Sequence, residues 1–91
     1  MVKKIVKVMN PTGFQVKPAG RLCKAALKYK SRITYECRGR IANAKSVLSV
    51  LGTGVKCGEE IEFICEGEDE QQALEAMVTA VSNGLGEYSS T

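Results

Sequence analysis

The sequence predicts an α/β (α+β) fold: an open-faced sandwich in which four short strands form a sheet and helices cover one of its faces. Three observations lead there. Four segments alternate apolar and polar residues with the period of a half-buried strand. Two longer segments carry the period of an amphipathic helix, and a short third helix lies between them. In chain order the segments read βαββαβα. The 91 residues suffice for one modest core, so residues 1–91 are expected to form a single domain without repeat or linker.

The first strand is VKKIVKV, residues 2–8, with Val2, Lys4, Val6 and Val8 on one face and Lys3, Ile5 and Lys7 on the other. From residue 16 to about 29 the period becomes helical. Ala19, Leu22, Cys23, Ala26 and Leu27 share one broad face, and Lys17, Arg21, Lys24 and Lys28 form a stripe opposite. RITYECR sets Ile33, Tyr35 and Cys37 against Thr34, Glu36 and Arg38, and Arg38-Gly39-Arg40 turns it into a partner strand near residues 41–43. Ser46 is an N-cap for a short helix from Val47 to Leu51, with Gly52 and Gly54 as its stop. EEIEFICE is the cleanest strand, with Ile61, Phe63 and Cys65 inward. Asp69 with Gln72 suggests a capping box for the last helix, whose face carries Leu74, Met77, Val78 and Val81 and which Asn83-Gly84 ends.

Composition narrows the function. No run is long enough to span a membrane, and the lysine-rich start is unlike a signal peptide, so a cytoplasmic protein is expected. His is absent and no C-x-x-C pair occurs, which argues against a metal site or cofactor and leaves Cys23, Cys37, Cys57 and Cys65 as free thiols. All 13 Lys and Arg lie within residues 1–56, where Glu36 is the only acid; the other nine acids follow from Glu59 onward. With 5% aromatics and no recognised motif, direct nucleic-acid binding is the weaker reading of this asymmetry. A basic face for an acidic protein partner is the better one.

The run NPTGFQVKPAG, residues 10–20, is a turn feeding a helix start. Helix starts gather unpaired N–H groups and the positive end of a dipole, an arrangement suited to phosphate. The residue best placed for chemistry is Gln15, whose neutral amide is neither a nucleophile nor a proton shuttle.

These segments carry a resemblance. PTGFQVKPAG, NAKSVLSVLGTGVKCGEEIEF, GEDEQQALEAM and GLGE together resemble HPr, the phosphocarrier family of the sugar phosphotransferase system, over almost the whole chain. The resemblance implies an open-faced βαββαβα sandwich with an antiparallel four-stranded sheet. In the family motif Thr-Gly-hydrophobic-His-Ala-Arg-Pro-Ala, the histidine position here holds Gln15 and the arginine position Lys17. A family serine modified by HPr kinase/phosphorylase matches Ser46, and the pairing of glutamine with serine resembles the Crh branch. The family's partner surface, which engages catabolite control protein A, implies roles for Gln15, Lys17, Arg21, Lys24, Lys28, Lys45, Val47, Leu48 and Leu51. Lys17 lacks arginine's bidentate fork. Gly20 and Thr53 replace residues that are often larger in the family, an expected thinning of the apolar patch around Val47, Leu48 and Leu51.

Plainer readings stand beside these. Gln15 is either a polar residue at a helix start or the mark of a lost nucleophile. Ser46 is a common N-cap as well as a phosphosite, and the lysine stripe is a solvated helix face or a docking surface. Three functions follow: a non-catalytic regulator of carbon catabolite repression, a phosphocarrier paralogue, or a constitutive interaction domain. Phosphoryl relay through such a fold needs an imidazole nitrogen, and this chain has none.

Overall fold

The computed structural model describes residues 1–87. Its elements are β1 (Val2–Lys7), α1 (Val16–Ala26), β2 (Arg32–Cys37), β3 (Arg40–Asn43), α2 (Val47–Thr53), β4 (Glu60–Glu66), α3 (Glu70–Ser82) and a 3-10 turn over Gly84–Gly86. The strands make one antiparallel sheet in the order β1-β4-β2-β3. This is the expected sandwich. No helix among the described residues is long and apolar enough to cross a membrane.

The alternation in β2 and β4 buries Ile33, Tyr35 and Cys37 beside Ile61, Phe63 and Cys65, where they meet Leu22 of α1 and Met77 and Val81 of α3 in one core. Tyr35 is central. Its ring makes edge contacts with Phe14 at 5.5 Å and Phe63 at 5.9 Å between centroids. Its hydroxyl lies 2.8 Å from Thr53 Oγ1, which donates to the Val50 carbonyl at 2.7 Å. Burial pushes the phenol up to about 12, so it stays protonated. Thr53 is therefore buried as a partner for Tyr35, and it does not thin the surface patch on α2.

Burial likewise raises the thiols of Cys23 and Cys37 and takes that of Cys65 to about 11; Cys57 is exposed, and all four are free. β1 is an edge strand, which explains how Lys4 can stand opposite Phe63 and remain exposed.

Three local expectations are corrected. α1 ends at Ala26, because Lys28 and Tyr29 donate to the carbonyls of Ala25 and Ala26 in tighter three-residue turns. Leu27 then falls past the apolar stripe and is 64% exposed. Gly52 lies inside α2, and the stop is Gly54, left-handed at φ +59° with its N–H on the Leu51 carbonyl. Asp69 precedes α3 but does not cap it, since its φ −110°, ψ 29° is not the extended conformation of a cap.

Asp69 instead clamps the turn before β2. Its carboxylate accepts from the N–H of Lys30 at 2.9 Å, the N–H of Ser31 at 2.8 Å, and the Ser31 hydroxyl. Gly67, at φ +152°, makes room: a Cβ there would lie 2.6 Å from Ser31 Oγ. Glu70 takes over at the helix start, accepting from Gly67 N–H and pairing with the terminal ammonium of Met1.

The Ser31 hydroxyl, aided by the Lys30 N–H, holds Asp69 at about 2. Its pKa in the unfolded chain is about 4, so its contribution to stability is whole above that pH and is lost as pH falls toward 2. Urea midpoints should therefore fall through this window more steeply in the wild type than in Asp69→Asn. On the open face of the sheet Glu62 stands directly opposite Glu36, a like-charge pair. Glu62→Gln should raise stability by roughly 0.2–1 kcal/mol in urea titration at neutral pH and low salt.

Candidate functional site

The turn and helix start singled out in the sequence are anchored by the core. Phe14 is buried against Tyr35, and its N–H donates to the Val55 carbonyl at 2.9 Å. Gly13 is required here. At φ +62° it passes so close to the segment after α2 that a Cβ would lie 2.3 Å from Val55 O. The loop that presents residue 15 is thus pinned to the loop beyond α2.

Gln15 occupies the N-cap position of α1 in extended conformation, and its side chain makes no capping hydrogen bond. Its carbonyl accepts from Ala19 N–H at 2.8 Å. Pro18 has no N–H, so the unpaired donors of the first turn belong to Val16 and Lys17. A shallow cavity of about 530 Å³ opens in front, bordered by Thr12, Gln15, Lys17, Leu51, Lys56 and Glu87. Two cations and a helix start face this space beside one carboxylate.

That carboxylate is already engaged. Glu87 Oε1 accepts from Asn10 Nδ2 at 3.0 Å, Thr12 N–H at 3.2 Å and the Thr12 hydroxyl at 2.8 Å. The Asn10 amide above all, with Thr12, holds Glu87 below the usual carboxylate range. Asn10 is buried and also donates to the Gly13 carbonyl at 2.6 Å. The chain's last described residue therefore braces the turn that carries Gln15. Asn10, Thr12, Lys56 and Glu87 were not among the expected site residues. GLGE was visible in the sequence as a motif, but nothing local links it to residues 10–13.

Ser46 is the N-cap of α2: its Oγ accepts from Ser49 N–H at 3.2 Å. Ser49 in turn accepts from Asn43 N–H at 2.9 Å, tying the helix to β3. Lys45 is committed elsewhere, with Nζ donating to the Tyr29 carbonyl at 2.6 Å. Val47 is 39% and Leu48 83% exposed, while Leu51 is half-buried at the cavity.

The lysine stripe is exposed throughout but does not act as one unit. Lys17 borders the Gln15 cavity, whereas Lys28 borders a groove with Gln72 and Glu75 of α3. Arg21 is tethered, donating through Nη1 to the Leu85 carbonyl at 2.9 Å. Lys24 makes no ion pair among the described residues. Val16 at the start of α1 and Leu27 just past its end are also exposed apolar residues, Leu27 having been expected on the buried face.

The comparisons with known proteins agree with this geometry. Residues 2–83 match the family described as PTS HPr component phosphorylation site. The chain is 37% identical over 81 residues to the HPr-like protein Crh of Halalkalibacterium halodurans, covering 89% of this chain and 96% of that one. It is 35% identical over 83 residues to the multiphosphoryl transfer protein of Haemophilus influenzae, covering 88% of this chain but only 17% of that much longer protein. The crystal structure of HPr-C-His from Thermoanaerobacter tengcongensis superimposes with a TM-score of 0.94 at 30% identity, over 98% of this chain and 100% of that one. A match along nearly the whole fold, in sequence and in shape, shows that the chain belongs to the HPr family and is Crh-like within it.

Proposed function

We propose that this protein is a non-catalytic regulator of carbon catabolite repression, phosphorylated on Ser46, and unable to relay phosphate through histidine. The observation that carries the reading is the occupant of the α1 start. Gln15 sits at a helix terminus with free first-turn donors and two lysines nearby, yet supplies no nucleophilic nitrogen. A scaffold of this kind can bind and be bound, and its chemistry must come from another enzyme.

Ser46 supports the regulatory half. Ser46 is half-buried and its hydroxyl oxygen accepts one hydrogen bond, leaving its own proton for transfer to a kinase's base. A phosphate adds about −1.5 to −2 charges beside the exposed Val47 and Leu48. The kinase in this reading is HPr kinase/phosphorylase. The partner is catabolite control protein A or another acidic protein, engaged through the exposed faces of α1 and α2. Direct nucleic-acid contact has no part in it.

With labelled phosphoenolpyruvate and Enzyme I, the wild type should acquire no acid-labile, nitrogen-linked phosphate. Gln15→His should acquire some, because Gly13, Pro18 and the braced turn remain, though more slowly than an HPr with arginine at position 17. Transfer to the wild type would overturn the reading.

Ser46→Ala should remove phosphorylation by HPr kinase/phosphorylase, as mapped by mass spectrometry, and lose about 1 kcal/mol as a missing cap. Phosphorylated wild type should bind catabolite control protein A more tightly than unmodified protein, since each new charged hydrogen bond is worth roughly 1.5–3 kcal/mol. Equal binding with and without phosphate would leave Ser46 as a cap and the chain as a constitutive interaction domain.

A further inference from the structure

Three donors converge on the Glu87 carboxylate. Asn10 Nδ2 at 3.0 Å and Thr12 N–H at 3.2 Å donate to Oε1, and the Thr12 hydroxyl lies 2.8 Å from both oxygens. Asn10 is 1% exposed, and its other amide proton goes to the Gly13 carbonyl. Its Oδ1 is buried with no partner among the described residues. A flipped amide would serve worse, because that oxygen would then face two acceptors, the Gly13 carbonyl and the carboxylate. Asn10 is committed as a donor, and with Thr12 it forms a receptor shaped for a carboxylate.

The present occupant reaches this receptor under strain. Leu85 has a left-handed backbone at φ +51°, rare for a bulky side chain, between Gly84 at +77° and Gly86 at +79°. Gly86 admits no side chain, since a Cβ would lie 2.6 Å from Arg21 Nη1. Such strain persists only where contacts hold it. Leu85 is anchored by its burial and by Arg21. The hydrogen bonds that tie the segment to the site turn all end on the Glu87 carboxylate.

Glu87 also leaves charge unanswered. Among the described residues it is the only carboxylate bordering the Gln15 cavity, while Lys17 and Lys56 border it too. Neither lysine makes an ion pair among the described residues. A carboxylate entering from solvent can take the same three donors and approach the lysines as well. The cavity is too shallow to enclose a free small molecule. Exposed Val16 and half-buried Leu51 beside it offer apolar contact to a protein surface instead.

We propose that Asn10 and Thr12 form a binding site for an aspartate or glutamate side chain of a partner protein, a site that Glu87 closes in the free protein. The partner's carboxylate displaces Glu87, gains the lysines that Glu87 leaves unpaired, and releases the strained segment. This rests on the acidic-partner reading given above, but it needs neither Ser46 nor its phosphate.

The test uses the ¹⁵N-labelled full chain as wild type and as Glu87→Ala, which empties the receptor. Each is titrated with the peptide acetyl-Leu-Glu-Leu-amide and with its glutamine counterpart. In Glu87→Ala the glutamate peptide should shift the Thr12 backbone amide and the Asn10 side-chain amide in a saturable way at millimolar concentration. Wild type should respond about tenfold more weakly, because the tethered Glu87 competes. The glutamine peptide should leave both chains nearly unchanged, and adding Lys17→Gln and Lys56→Gln to Glu87→Ala should weaken the glutamate peptide. No response from Glu87→Ala, an equal response from wild type, equal effects of the two peptides, or indifference to loss of the lysines would overturn the proposal. Sodium acetate matching the peptide at equal concentration would give the site to free carboxylates and overturn it as well. Should Glu87→Ala not fold, Glu87→Gln keeps the shape, removes the charge and carries the same expectations.

Discussion

The structure depends on one buried side chain, Tyr35. Its ring joins Phe14 at the foot of the site loop to Phe63 in the neighbouring strand, and its hydroxyl meets Thr53 at the end of α2. Three elements far apart in sequence are held by one residue. Each edge contact between aromatic rings adds about 0.5–1.5 kcal/mol beyond the area it buries. A buried hydroxyl without a partner costs roughly 1–3 kcal/mol, so Thr53 is as necessary to the arrangement as the rings. The position of Gln15, one residue beyond Phe14, follows from this contact rather than from any bond of its own.

The strands and the short helix were legible because their patterns are local. Ile33, Tyr35 and Cys37, or Ile61, Phe63 and Cys65, announce an inner face by alternation alone, and Ser46 announces a cap by its place before an apolar run. Leu27 and Asp69 misled for a shared reason. Each fits a helical rule by spacing, but the backbone leaves the assumed geometry at that residue: α1 has ended before Leu27, and Asp69 is turned toward Ser31.

At the site, the motif residues were readable and their bracing was not. Glu87 lies 75 residues from Thr12 and 77 from Asn10, and no periodicity connects positions so remote. Likewise, Lys45 and Arg21 read as free charges along the chain, yet each serves as a donor to a backbone carbonyl, of Tyr29 and Leu85. The basic character of α1 and the α2 entry is therefore partly structural. The lysines that remain for a partner, Lys17, Lys24 and Lys28, are dispersed along α1 and beyond its end rather than focused at one point.

The sheet order has a consequence for how the chain is made. β1 pairs only with β4, so this strand is synthesised well before the partner it needs, with Val2 opposite Cys65. At roughly 5–20 residues per second, that interval lasts on the order of several seconds, during which β1 has no strand to pair with. Unpaired strands recruit one another, and charged residues suppress it. Lys3, Lys4 and Lys7 make half of β1 cationic. Of the three, only Lys4 interrupts the strand's inner apolar face, and all three place charge on a strand that is made before its partner, the kind of residue that discourages pairing between exposed strand edges.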